Sequence, residues 1–405
     1  MEYIDITEVV ASRRRLNIKF TCSNPDLASY FKTTDFQTDY SLPIDTVPPS
    51  ILVIPLLVQL LPLSWILNFE IRVKEIDKDF FESIPKFKEG YINMYPVFEF
   101  RGKLSVDTII DNDRDTLNNR GTLYSGGVDA CATLIAHADE NPDLIIIQGS
   151  DIHLDQMRAW EAVRKKNDEI ADLFGVDSLW ISSNYCEMLE YAKFNKISYR
   201  AGDNWWHGMQ HGIGILGLCA PIAYVRGYIT LFIASSHTEN DHVNCASDPI
   251  IDNHVAFCGC RVIHDQYEFN RIQKTKHIVD YSQKKLVYPF LRVCYFSGNE
   301  TNCCRCEKCL RTAIALSLMG EDITKYGFIN PDIMFKGSKW RIISSVNYSA
   351  IPLWKDIQEY ANSNDSKFIH PMIRWVQTTN WERETVSLKT RGRRFIERKI
   401  KTLFR

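Results

Sequence analysis

The stretch that most constrains this chain runs from Gly121 to Ala138, GTLYSGGVDACATLIAHA. Thr122-Leu123-Tyr124 reads as the end of a buried strand, Ser125-Gly126-Gly127 as a tight turn, and Asp129 onward as an Ala/Leu/Ile-rich helix. A strand that passes through two glycines into a helix start is a device for holding phosphate. The glycines allow positive φ and close backbone approach, and the first-turn amides point at the anion. The expected anion-binding residues are Ser125, Gly126, Gly127, Val128 and Asp129. No Gly-Lys-Ser/Thr follows, so this is not a Walker loop, and the glycine spacing does not fit the Rossmann fingerprint. An ordinary glycine-containing β–α turn would carry the same residues.

From Gly121 the chain alternates strands and helices. Leu144–Gly149, Ser178–Ser182 and Tyr228–Ala234 read as strands, with helices over Asp155–Phe174 and His207–Tyr224. That order predicts an α/β fold: a parallel sheet covered by helices, with ligands at the carboxyl ends of the strands. With 405 residues, more than one domain is expected. We read a β-rich N-terminal domain over 1–118, an α/β domain over 119–325 and a helical extension over 326–405. In the first of these, Leu16–Phe20, Phe69–Val73, Tyr95–Phe100 and Lys103–Ile110 are strand candidates. Thr46–Phe69 carries no charge and is long enough to span a bilayer, but Pro55, Gln59 and Pro62 favour a buried core segment. No transmembrane span is expected.

The net charge of −2 gives no global electrostatic case for nucleic acid. The beginning, MEYIDITEVV, has no secretory pattern, so the 12 cysteines are expected to be reduced, as core residues or metal ligands in a cytoplasmic protein. Cys294, Cys303, Cys306 and Cys309 stand at C-x8-C-x2-C-x2-C. Four thiolates at that spacing can close a tetrahedral zinc site with no open position, which makes it structural. Cys304 is an extra thiol, read as a bystander.

The SGGVD loop resembles the SGGxDS loop of the PP-loop ATP pyrophosphatases. Together with the four cysteines running on into Leu310-Arg311, it resembles the family of 7-cyano-7-deazaguanine synthase. The similarity covers roughly Gly121 to Gly320. It implies a PP-loop (adenine nucleotide alpha hydrolase-like) sheet with helices on both faces, ATP and Mg2+ at the loop, and a structural Zn2+. The implied chemistry cleaves ATP to AMP and pyrophosphate while adenylating a carboxylate or carbonyl for amide, nitrile or other nitrogen transfer. The implied substrate is a small molecule or nucleobase of the deazaguanine type. Long synthase-like proteins of this layout are also known in bacterial anti-phage defence islands and polysaccharide clusters, and a protein partner encoded alongside is among the partners the resemblance allows. Ala130 departs from the family's second serine. The segments Ser235–Thr238 and Ser247–Asp252 replace the part that reads the deazaguanine, so the substrate stays open. Nucleobase or tRNA modification and a nucleotide-binding scaffold without turnover are the alternatives.

Other residues carry chemistry in principle. Asp129 can hold magnesium or cap the first helical turn. Arg271 and Lys274, one helical face, suit polyphosphate or a substrate carboxylate, or form a solvated basic face. His237, after the fourth strand, is an acid–base candidate. Asp151 can meet substrate or cap the next helix. His207 and His211 have metal-ligand spacing but read as packed helix residues, and Cys258 and Cys260 as core. The basic amphipathic tail from Lys389 to Arg405 can dock on nucleic acid, membrane or an acidic partner, or be a solvated helix.

Overall fold

A computed structural model describes residues 2–112, 117–296, 300–346, 350–364 and 370–386. The expected basic tail lies outside them. The strands are β1 (Tyr3–Ser12), β2 (Arg15–Cys22), β3 (Asp35–Tyr40), β4 (Glu70–Asp77), β5 (Lys103–Ile110), β6 (Asn119–Leu123), β7 (Asp143–Gln148), β8 (Ser178–Ser183), β9 (Tyr228–Ala234), β10 (Ala256–Phe257) and β11 (Cys260–Asp265). The principal helices are α1 (Ile54–Leu67), α2 (Lys78–Met94), α3 (Val128–Ala136), α4 (Met157–Phe174), α5 (His211–Leu218), α6 (Ala220–Arg226), α7 (Arg271–Lys285), α8 (Glu307–Leu318), α9 (Ile351–Ser363) and α10 (Pro371–Thr378).

The chain forms two compact units. The first comprises 1–125, 136–235 and 242–267, and holds all the strands among the described residues in one 11-stranded sheet ordered β10-β11-β9-β6-β7-β8-β3-β2-β1-β4-β5. The run β11-β9-β6-β7-β8 is parallel. Its near-continuous apolar strands, such as Asp143–Gln148, are those of a sheet buried on both faces. Within it the winding reverses between β6 and β9, the position at which open α/β sheets leave a ligand crevice. The α/β expectation is thus met, in a sheet larger and more mixed than the sequence suggests.

The N-terminal strands do not close into a domain of their own. β3 pairs antiparallel with β8, with Tyr40 opposite Ile181, and carries the sheet on into β2 and β1; β4 and β5 are parallel again. One apolar core joins Ile4, Leu57 and Phe69 to Ile181, Leu231 and Val262, so the boundary expected at residue 118 separates no two cores. Tyr95–Phe100 is a loop, not a strand. Tyr95, Phe98 and Phe100 are buried, and only the last two keep a strand's alternation; the chain turns at Phe98 N–H to Tyr95 C=O (3.1 Å) and Phe100 has a φ of 46°. The uncharged run is α1, buried from Ile54 through Trp65. The Gln59 amide there donates to Gly214 O (2.9 Å) and accepts from Gln210 Nε2 (2.7 Å), so a polar side chain sits in the core without an unmet bond. Among the described residues, one helical stretch, Trp206–Arg226, is long and apolar enough to cross a membrane, and 78% of its most apolar 18-residue window is buried in the protein.

That stretch is not one helix. A π-turn over Trp206–Gln210 precedes α5, and Pro221 opens α6. α5 lies against α1 because Gly217 presents no side chain: a Cβ there would stand 2.5 Å from both Val58 methyls. Gly217→Val is therefore expected to destabilise the fold by about 1–3 kcal/mol through overpacking, read by denaturant unfolding. An unchanged midpoint would mean that α1 and α5 separate freely.

His137, just after α3, stacks on Phe232 at 3.8 Å between centroids and lies between Glu140 (2.6 Å) and Asp265 (3.0 Å). Burial lowers its pKa, but the two carboxylates outweigh burial and the net shift is upward. A raised folded-state pKa means that its stabilisation is complete below the unfolded value of about 6.5 and fades as pH rises through the folded value. His137→Phe, which keeps the stacking, should cost most stability in mildly acidic buffer and progressively less toward pH 9. A penalty independent of pH would contradict the ion pair.

Candidate functional site

The second unit comprises 126–135, 236–241 and the described residues from 268 onward. It contains the glycine loop, most of α3, and α7, α8, α9 and α10. The chain leaves β6 at Leu123, and Gly126 takes a φ of 78°, the left-handed region that glycine occupies without strain. Arg292 N–H donates to Gly126 O (2.7 Å), and a Cβ on Gly126 would stand 3.1 Å from the Arg292 Cβ. The first helical bond of α3 runs from Cys131 N–H to Gly127 O (2.9 Å), so the amides of Val128, Asp129 and Ala130 belong to the unpaired first turn. A strand-to-glycine-to-helix passage is therefore present, with the positive φ at the first glycine.

Asp129 sits in the first turn of α3, where a carboxylate also complements the helix dipole. It takes up Arg271 (Nη2 to Oδ2 2.5 Å, Nε to Oδ1 3.3 Å), and Lys274 Nζ lies 3.9 Å from Oδ1. Both cations come from the start of α7, whose position is fixed by a reciprocal cap. Asn270 Oδ1 accepts from Gln273 N–H (3.0 Å), and Gln273 Oε1 accepts from Asn270 N–H (2.8 Å). Burial raises the Asp129 pKa, yet Arg271, Lys274 and, more weakly, Lys308 carry it below the ordinary carboxylate range. The basic pair is thus no solvated face: Lys274 is buried, and Arg271 is about a fifth exposed.

α8 brings a second charged group. Glu307 and Arg311 are both buried, with Arg311 Nη1 3.4 Å from Glu307 Oε1. Glu307 also accepts from Trp354 Nε1 (2.8 Å) on α9 and from the Tyr295 hydroxyl (3.2 Å). Lys308 lies over the Tyr295 ring at 4.7 Å.

The thiols of Cys294, Cys303, Cys306 and Cys309 all lie within 4.8 Å of one another. Cys306 to Cys309 is 3.4 Å, and Cys303–Cys309 and Cys294–Cys306 are each 4.0 Å. A tetrahedron with metal–sulfur bonds of about 2.3 Å has vertices about 3.8 Å apart, so the four sulfurs can hold a metal ion such as zinc with little adjustment. Backbone amides of Phe296 (3.4 Å), Arg305 (3.4 Å) and Cys306 (3.2 Å) point at Cys294 and Cys303 sulfurs, as thiolate ligands require. Cys306 is the N-cap residue of α8 and Cys309 lies in its first turn, so two of the four thiols are built into the start of that helix. Cys304 is buried and turns its thiol to Asn302 O (3.5 Å), outside the cluster.

The structure brings Asp129, Arg271 and Lys274 together. His237 lies half-buried in the 236–241 segment after β9. Asp151 is exposed, and the cap position of α4 is Gln156, so Asp151 is not the cap. His207 pairs with Asp203, His211 packs beside Trp206 at 5.1 Å, and Cys258 and Cys260 are core. Arg292, Glu307, Lys308 and Trp354 are additions that the sequence reading lacks, and Arg311 enters it only as part of the motif that follows the cysteines. The i,i+4 spacing of Glu307 and Arg311 is a legible signal; nothing near Trp354 marks it. In comparisons with known proteins, no family model, no curated protein and no solved structure matches this chain.

Proposed function

We propose that the Ser125–Asp129 loop holds the phosphates of ATP. On this reading the chain is a PP-loop ATP pyrophosphatase of the 7-cyano-7-deazaguanine synthase kind. The observation that carries the reading is the gathering of Arg271, Lys274 and Lys308 around the first turn of a helix that opens on a positive-φ glycine. First-turn amides and nearby cations are the donors a transferring phosphate needs. The acceptor oxygen, from a carboxylate or carbonyl, forms its bond to the α-phosphorus as the bond to the β-phosphate breaks. Pyrophosphate leaves with the electron pair, and a nitrogen nucleophile then displaces AMP. The closed four-thiolate site has no position for substrate and serves to fix the start of α8.

A divalent ion supplies charge compensation in such chemistry. Asp129 does not fit as its ligand in this arrangement, because Arg271 takes both carboxylate oxygens; it fits as the counter-ion that holds Arg271 and Lys274 in place. The same pairing favours a second reading, a nucleotide-binding scaffold without turnover, as does the buried Ala130 where a serine would add a donor. The test is calorimetric titration with ATP and with a non-cleavable analogue. Both readings expect saturable binding of the analogue, and only the first expects ATP to be consumed. Absence of binding would remove both.

A further inference from the structure

Strands β1 and β4 start as neighbours and then part. They pair in parallel only over Tyr3–Asp5 and Glu70–Arg72. Beyond Asp5 a bulge at Thr7 bends β1, while β4 runs on beside β5 to Asp77. The fork encloses a cleft of about 270 Å³, lined by residues 6–9 of β1, residues 73–75 of β4, and Pro49 and Val53. Ile6, Val53 and Val73 are buried and form its bottom; Thr7, Glu8 and Lys74 are exposed at the rim.

The walls are strand edges, and their polarity follows from the pairing. The two-residue turn Arg13-Arg14 makes Ser12–Arg15 a hydrogen-bonded pair, and with it Val10–Asn17 and Glu8–Lys19. Val9 therefore points its N–H and C=O away from β2, toward the cleft. On the other wall, Glu70 N–H donates to Glu2 O (2.9 Å), so Glu70, Arg72 and Lys74 face β1 and the residues between them face β5. Among the described residues, no strand pairs with Val9 or Lys74 on these sides.

We propose that this fork docks an extended segment of a partner protein, inserted between β1 and β4. Two facing rows of main-chain donors and acceptors are what another strand satisfies. A strand residue fills about 160 Å³ (about 3.3 Å along, 4.8 Å across and 10 Å deep), so the cleft admits about two residues. Charge selects them. Glu8 is paired with Lys19 (2.9 Å), but neither Lys74 nor Glu75 has an ion-pair partner among the described residues. As neighbours on a strand they point to opposite faces, so the two residues beside them are an acid and a base in succession. Val73 and Ile76, on either side of the pair, favour β-branched flanks. All these residues lie within the first unit, so the site is independent of the nucleotide reading and stands if that reading falls.

The test is fluorescence anisotropy of the full-length, metal-loaded protein with two labelled peptides. These are Thr-Val-Glu-Lys-Ile-Thr and its reversal Thr-Ile-Lys-Glu-Val-Thr, which cover parallel and antiparallel entry. One of the two is expected to bind saturably. N-methylation of alternate residues, in either set, should weaken it by roughly fivefold or more, the effect of losing a main-chain bond on one edge. Glu75→Lys should weaken it too, and exchanging the peptide's Lys for Glu should restore binding. Val9→Pro removes a cleft-facing N–H that the β1–β2 pairing does not use, and should abolish binding with the circular dichroism unchanged. No saturable binding of either peptide would overturn the proposal. So would an affinity indifferent to Glu75→Lys. Sensitivity to only one N-methylated set would place the peptide on a single strand edge and overturn the insertion.

Discussion

Gly126→Val is expected to abolish nucleotide binding while leaving the metal cluster loaded. Gly126 has a φ of 78°, where an L-residue with a branched Cβ is strained by about 1–2 kcal/mol before any contact is considered. Its Cβ would also meet the Arg292 Cβ at 3.1 Å, in the segment hydrogen-bonded to Gly126 O. The turn must shift, and with it the direction of the first-turn amides of α3, on which the proposed phosphate cradle depends. The sequence alone points equally at Gly127, but the structure puts the left-handed residue at Gly126, which makes it the sharper probe. Calorimetry with a non-cleavable ATP analogue reads the result, beside metal analysis and circular dichroism. Wild-type affinity in Gly126→Val would reduce the loop to a turn.

Loss of any one thiol ligand has the other large effect. Purified protein should contain about one equivalent of zinc. Cys294→Ser, Cys303→Ser, Cys306→Ser and Cys309→Ser should each lose it together with stability on the order of several kcal/mol, because metal binding and folding of such a cluster are one equilibrium. The damage should reach beyond the cluster, since Cys306 and Cys309 begin α8, which carries Glu307 and Arg311. Cys304→Ser is the internal control: its thiol faces Asn302 O, and its zinc content should stay at the wild-type level. Metal-free protein with undiminished stability would dismiss the site, and loss of zinc in Cys304→Ser would mean that the ligand set is misassigned.

What the sequence discloses here is local, and what it hides is long-range. Leu144–Gln148 reads as a strand because it is an apolar run, and the thiol cluster reads as a site because three of its members fall within seven residues. The continuity of the sheet turns on Tyr40 meeting Ile181, and β3, DFQTDY, is too polar and short to announce that pairing. Tyr95–Phe100 misleads because aromatic side chains can be buried from a loop as well as from a strand. Asp129 and Arg271 are each visible as candidates, but their ion pair spans 142 residues of chain, and no spacing rule reaches that far. Gly126 and Gly127 are equivalent on paper and differ only once φ is known.

The central claim is that ATP is cleaved between its α- and β-phosphates. It is tested most directly by incubating the protein with ATP, magnesium and a deproteinised small-molecule extract as acceptor source, and following the phosphorus NMR spectrum. The account predicts AMP and pyrophosphate in equal amounts, and no product from Gly126→Val. ADP and orthophosphate, or equal AMP formation by wild type and Gly126→Val, would contradict it.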